Sequence, residues 1–149
     1  MNKKNMMIAG AVGAALSLAV AGGAALAHHA FAAEFDGKAP VLLRGKVTRI
    51  AWINPHAWVH INVVGTDGKD TEWMVEGGTP NTLLRAGIDR NSLKAGQEII
   101  VRGYQSKDRL CRPACKVNGR DVTFPDGKKL FMGSSGTGAP KDNSDPTEK

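Results

Sequence analysis

Four histidines are the residues of this chain best suited to chemistry: His28, His29, His56 and His60. Neutral imidazole is a common ligand for copper, zinc and other first-row metals. If export processing ends after Ala27, His28 becomes the first residue, and its α-amine and ring nitrogen can chelate one ion. A second imidazole would complete a nitrogen-rich, T-shaped site of the kind that suits Cu(II). The sequence therefore predicts a copper site centred on His28.

The other three histidines are candidates for completing that site. His29 can contribute through its ring and the amide that precedes it. On a strand, His56 and His60 would lie about 13 Å apart, because each residue advances the chain by roughly 3.3 Å, so at most one of them can join His28. His60 is the preferred partner if its face is exposed, whereas His56 follows a proline turn and is expected to bond backbone. Two histidines at a chain end also bind copper weakly in any protein, so an incidental site stays open.

The two cysteines, Cys111 and Cys115, are predicted to form a disulfide that closes a short local loop. Pairs this close are oxidised in exported proteins. Two thiolates at this spacing can also hold a soft metal ion or act as a redox pair. The predicted compartment and the absence of a histidine nearby in the sequence favour the disulfide.

The first 27 residues have the three parts of a secretory signal peptide in order. Lys3 and Lys4 form a short positive region, an apolar run extends from Met6 to Ala25, and Ala25-Leu26-Ala27 supplies the small-x-small pattern that signal peptidase requires. Cleavage would leave a periplasmic or secreted protein without a stable membrane span. The alternative is an uncleaved anchor, because the apolar run approaches the roughly 20 residues that cross a bilayer.

The elements that must position the histidines are mostly strands. Alternation of apolar and polar residues, bounded by turn residues, predicts five of them. The first contains a bulge near Thr48-Arg49, where the parity of its apolar residues switches. Between the third and fourth strands, Thr79 as N-cap, Pro80 at the first position and Gly87 after the end predict a short helix. The predicted strands are Val41–Trp52, Ala57–Val64, Thr71–Glu76, Glu98–Gln105 and Asp121–Phe124, with a further short one at Lys129–Met132.

This order of elements predicts an all-β fold with one short helix, a small OB-fold-like five-stranded barrel. The helix between the third and fourth strands is the most specific part of the pattern, and a plain antiparallel sandwich is the alternative. The predicted organisation is a signal peptide over 1–27, an N-terminal leader over 28–40, the barrel domain over 41–132 and a disordered tail over 133–149. The tail is rich in Gly, Ser, Pro, Asp and Lys, and it lacks apolar residues that could be buried.

Several short motifs occur in an order that resembles a family of small exported bacterial proteins of unknown function. The resemblance implies export and a shared small β-fold, but no activity. The Cys111–Cys115 pair departs from the family's pattern. The motifs are His28-His29-Ala30-Phe31, Glu34-Phe35-Asp36, Gly45-Lys46-Val47, Trp52-Ile53-Asn54-Pro55-His56-Ala57-Trp58, Asn81-Thr82-Leu83-Leu84-Arg85, Ser92-Leu93-Lys94-Ala95-Gly96, and Asp121-Val122-Thr123-Phe124-Pro125-Asp126-Gly127-Lys128-Lys129-Leu130-Phe131.

A second candidate site is the outward face of the second strand, which carries Trp58, His60 and Asn62. OB-folds bind oligonucleotides or sugars on the face of their second and third strands. Basic and acidic residues alternate along this chain, however, and its formal charge of +6 includes no basic block, so nothing favours a nucleic-acid partner. The expected partner is an envelope protein, a glycan or a small ligand.

The sequence contains none of the short motifs of hydrolysis or group transfer: no nucleophile elbow, phosphate loop or His-Glu-x-x-His segment. We therefore expect a binding protein rather than an enzyme, with a copper-dependent oxidase as the remote alternative. Two hypotheses remain. In the first, the protein is an exported accessory protein that binds copper through its N-terminal histidine. In the second, it is a structural or interaction module of the envelope that binds no metal.

Overall fold

The computed structural model describes residues 31–133. The predicted signal peptide, His28, His29 and residues 134–149 of the predicted tail lie outside them. Residues 31–34 are helical and lead directly into the first strand. The elements that follow are β1 (Phe35–Ala51), β2 (Trp58–Val64), β3 (Asp70–Glu76), α1 (Pro80–Arg85), β4 (Glu98–Ser106), β5 (Cys115–Thr123) and β6 (Lys129–Phe131).

The strands form a closed barrel. They hydrogen-bond in the order β3-β2-β1-β4-β5-β6, and an additional parallel pairing of β3 with β5 joins the two ends of the five-stranded part. β6 extends the sheet beside β5. Closure satisfies backbone groups that an open sheet would leave at its edges. The predicted OB-fold-like barrel is confirmed, with its short helix between β3 and β4.

The bulge predicted in the first strand is present. The register between β1 and β2 shifts between Val47 and Arg49, where the chain bends. Two residues before Val47, a side chain at Gly45 would place its Cβ 2.5 Å from the carbonyl oxygen of Asn62, so only glycine permits the close approach of the two strands there. The bulge lets β1 pair with β2 on one side and with β4 on the other.

Two strands, β1 and β5, begin six residues earlier than predicted, and β3 begins one residue earlier. β1 starts at Phe35 rather than Val41, and the predicted leader therefore contributes strand to the barrel. An irregularity between Phe35 and Pro40 interrupts the alternation and hides this part of β1 from pattern analysis. β5 starts at Cys115 rather than Asp121. The first residues of β5 include a glycine and several polar residues, a composition that does not predict a strand.

Inward-facing side chains form the core, and the predicted parity of β2 is confirmed. Val59 and Ile61 are fully buried in the main hydrophobic cluster. Trp52 and Trp73 are half-buried against that cluster. The helix begins as predicted, because the Thr79 side chain accepts a hydrogen bond from the backbone N–H of Thr82 at 3.1 Å.

A second, smaller hydrophobic cluster joins the start of the described chain to the barrel. It consists of Phe31, Phe35 and Tyr104, all buried. The Phe31 ring meets that of Tyr104 edge-on, with 5.7 Å between centroids, a favourable arrangement for aromatic pairs. This contact holds the helical turn at 31–34 against the barrel.

Candidate functional site on the outer face of β2, β3 and β5

The surface of β2, β3 and β5 that faces away from the core, called the outer face below, carries unusually buried polar side chains. Residues in register on neighbouring strands project to the same side. Three of the outer-face side chains are polar and almost fully buried: His60 (2% exposed), Glu76 (6%) and Asn118 (4%). The residues of the face lie in two cross-strand rows, His60–Met74–Lys116 and Trp58–Glu76–Asn118.

His56 lies in the turn before β2, beside this face, and its orientation is set by two acceptors. Its Nδ1 lies 2.8 Å from Oε1 of Glu76 and 3.1 Å from the carbonyl oxygen of Gly77. The carbonyl oxygen of Gly77 can only accept a hydrogen bond, so Nδ1 carries the proton and donates it, and the lone pair of the neutral ring resides on Nε2. The expected hydrogen bond from His56 to backbone is present, and the Glu76 carboxyl group lies at ion-pair distance from the same nitrogen.

His60 has a similar carboxylate partner. Its Nδ1 lies 2.8 Å from Oε1 of Glu72, which stands nearer the other end of β3. The face around His60 is buried rather than exposed, so the condition under which His60 was preferred over His56 as a ligand is not met. Met74 is in register with His60 in the same row and is half-buried.

Glu76 is the most strongly perturbed ionisable group of this face. Burial raises the pKa of its carboxyl from 4.5 to about 7, because the charged form loses hydration. The charge of His56 acts in the opposite direction, Glu34 adds to the increase, and Lys116 opposes it. Perturbed carboxyl groups of this kind are concentrated at functional sites.

Asn118 is in register with Glu76 on β5. Its Oδ1 is the one buried side-chain atom within residues 31–133 that has no hydrogen-bond partner. Buried polar atoms are nearly always hydrogen-bonded, so an unpaired one indicates a missing partner or a functional role. We call His56, His60, Glu76 and Asn118 the polar cluster.

The start of the described chain lies beside the polar cluster. The Glu34 carboxylate accepts a hydrogen bond from Nζ of Lys116 at 3.1 Å, and its carbonyl accepts one from the backbone N–H of Lys107 at 2.8 Å. Nζ of Lys107 also donates to the carbonyl of Ala32. The chain therefore enters the barrel beside Lys116 of the first cross-strand row, and the Phe31 ring packs on Tyr104, which is in register with Asn118 of the second row.

The remaining predicted site residues have mixed outcomes. Trp58 and Asn62 project outward as predicted and are half-buried. Cys111 and Cys115 are bonded to each other, as predicted. Within residues 31–133, no group of three or more His, Cys, Asp or Glu side chains could hold a metal ion without help from elsewhere. The same part of the chain contains no helix long and apolar enough to span a membrane.

Comparison with protein families agrees with the resemblance carried by the motifs. A model of the family of unknown function DUF6152 matches residues 3–112. The chain belongs to the DUF6152 family. The match includes β1 to β4 and thus His56, His60 and Glu76, whereas Asn118 lies beyond it. No curated relative matches the chain.

Sequence reasoning identified the histidines of this site but not the groups that orient them. The partnership of His56 with Glu76 joins residues 20 positions apart, and it depends on how β3 ends beside the turn before β2. Asn118 lies in the part of β5 that the sequence pattern did not reveal. The outward parity of Glu76 was the one available signal, since it brings Glu76 near the face that carries His60.

Proposed function

We propose that the protein is exported, begins at His28 after cleavage and binds one copper ion through the α-amine and ring of His28 together with a second imidazole, that of His56. It acts as a binding or accessory protein of the periplasm or the exterior. The observation that supports this most directly is the pair of acceptors on Nδ1 of His56, which leaves Nε2 as the metal-binding nitrogen.

The arrangement around His56 is the one found behind metal-binding histidines. Such histidines nearly always donate their other ring N–H to a carboxylate or a backbone carbonyl, which holds the tautomer and increases the basicity of the ligating nitrogen. His56 donates to the carbonyl oxygen of Gly77, and its Nδ1 lies 2.8 Å from Oε1 of the Glu76 carboxyl group. Its side chain is 35% exposed, so an ion can reach it, whereas His60 is buried.

The length of chain between His28 and the described residues is compatible with the site. His28 precedes Phe31, the first described residue, by three positions, which span at most about 10 Å when extended. Glu34 lies beside Lys116 and within electrostatic reach of Glu76, the partner of His56. The Phe31 ring packs on Tyr104, which is in register with Asn118 of the Glu76 row, so the mature N-terminus would start on the side of the barrel that carries Glu76.

Native mass spectrometry of the protein purified from the periplasm, exported with its own signal peptide, tests the proposal. We expect a chain that starts at His28 and retains one copper ion against a competing chelator. A form with Gly-Ser-Gly ahead of His28, called the extended form below, separates the amine from the His28 ring and should bind copper at least 100-fold more weakly. Equal affinity of the two forms would contradict the chelate.

Paired variants identify the second imidazole. His56→Ala should weaken copper binding at least tenfold, and Glu76→Gln should weaken it by about tenfold to 100-fold, as for other carboxylate partners of metal-binding histidines. His60→Ala is the matched control and should leave the affinity within about twofold. If His60→Ala weakens binding and His56→Ala does not, the second ligand is His60 with its partner Glu72.

Contact with an envelope protein or a glycan is the second candidate function. An open groove of about 540 Å³ on the outer surface of β1 and β2 favours it, because the groove includes Asn62 of the predicted ligand face beside Arg44 and Lys46. An Asn62→Arg variant should lose cross-linked envelope partners, whereas an Asp67→Arg variant in the hairpin turn should keep them. Identical partners for both variants would argue against this groove.

A further inference from the structure

We propose that Asn118 and Glu76 form a binding site for the α-amine of His28, the group that signal-peptide cleavage creates. The inference rests on the proposed cleavage after Ala27, but not on copper. It assigns a role to the two most buried polar side chains of the second cross-strand row, and it makes the barrel a receptor for its own processed N-terminus.

The chemistry of this site calls for a donor. Oδ1 of Asn118 is a hydrogen-bond acceptor, buried and without a partner. Glu76 beside it is a buried carboxyl group, and when ionised its two oxygens have room for about four hydrogen bonds, of which the ion pair with Nδ1 of His56 at 2.8 Å uses at most one. Two neighbouring acceptors in a buried site are stabilised by a group that combines positive charge with several N–H donors.

The nearby lysine does not meet this need. Nζ of Lys116 bonds Glu34 at 3.1 Å, and Lys116 belongs to the other cross-strand row. An α-ammonium group offers three N–H donors on a compact charge. Its chain would reach the site from Phe31, whose ring packs on Tyr104, the strand partner of Asn118.

The two roles of the amine are compatible. A metal-bound α-amine uses its lone pair for the ion and keeps two N–H groups, which can still donate to Asn118 and Glu76. In the uncleaved precursor, the nitrogen of residue 28 belongs to a peptide bond and carries no charge. Only cleavage therefore creates the group that this site is suited to bind.

Metal-free stability provides the test. Unfolding by denaturant is measured at pH 6.5 in the presence of a chelator for the mature form and for the extended form. The α-amine is charged at this pH. We expect the folding equilibrium constant of the mature form to exceed that of the extended form at least tenfold, which equals about 1.4 kcal/mol.

The direction in which Asn118→Ala changes the folding equilibrium constant distinguishes a form with a bound amine from a form without one. In the mature form it should lower the folding constant, because the amine loses an acceptor. In the extended form it should leave the constant unchanged or raise it, because it removes an unpaired buried atom. Asn62→Ala, a half-buried amide on the same side of β2, is the matched control and should affect both forms equally.

A direct measurement on the folded wild-type protein accompanies the stabilities. Reductive methylation of the α-amine, followed by peptide mass analysis, should be at least tenfold slower in the mature wild type than in mature Asn118→Ala. Equal stabilities of the mature and extended forms together with equal methylation rates would overturn the inference. Copper binding without amine protection would overturn this inference alone, and amine protection without copper binding would overturn the proposed function alone.

Discussion

Replacing Glu76 by glutamine should change how stability depends on pH. In the wild type, the carboxyl has its ordinary pKa of 4.5 when unfolded and about 7 when folded. A raised carboxyl pKa means that ionisation opposes folding: the group has no effect below pH 4.5, and stability falls as the pH rises towards 7. The difference of about 2.5 units corresponds to about 3 kcal/mol, at 1.36 kcal/mol per unit. The amide of the Glu76→Gln variant would remain neutral throughout.

The assay is denaturant unfolding of the metal-free extended form at several pH values, because that form keeps the mature amine away from Glu76. Between pH 5 and pH 8 the wild type should lose about 2–3 kcal/mol more than the Glu76→Gln variant. Glu98→Gln, which removes an exposed partner of Arg44, is the control and should follow the wild-type profile with an offset below about 1 kcal/mol. Parallel profiles for wild type and Glu76→Gln would refute the assignment of a desolvated carboxyl.

Three further changes test the fold that supports the site. Ile61→Ala, at a fully buried core position, should lower the free energy of unfolding by about 2–5 kcal/mol. Val64→Ala, on the exposed side of the same strand, should lower it by less than about 1 kcal/mol. Denaturant titration measures both. Gly103→Ala should lower the melting temperature strongly, because its Cβ would clash with the Asn118 carbonyl oxygen; an unchanged melting temperature would contradict the strand spacing. Thr79→Ala should cost about 1 kcal/mol through loss of the helix cap and Thr79→Ser should restore it, so equal stabilities of the two variants would argue against the cap.

The polar cluster lies on the part of the barrel where OB-folds commonly bind their ligands. OB-folds bind their ligands on the face of the second and third strands, and the His56–Glu76 pair lies where those strands meet the turn after β1. Buried polar groups on the outside of a small barrel reduce stability unless partners compensate for lost hydration. Residues that depart from the packing rules in this way are expected at sites selected for function.

Local patterns predicted the elements with strong periodicity. The alternation in β2 assigned Val59 and Ile61 to the core, and the turn and cap residues placed the helix at Pro80. The prediction of β5 was incomplete because Asn118 and its polar neighbours interrupt the apolar alternation. There the pairing with β3 and β4, rather than local preference, makes the chain a strand.

The sequence by itself determined the supply of candidate ligands, the parity of the strands and the order of elements that specifies the barrel. These follow from residue type and from the period of two along a strand. Tertiary structure alone decided that His56 meets Glu76, that His60 is buried and that Asn118 stands beside Glu76 without a partner. Those relations depend on cross-strand register and on the parallel closure of β3 with β5. A shift of one residue in the register of a strand would exchange its core-facing and surface-facing side chains. No local pattern specifies which two strands pair to close the barrel.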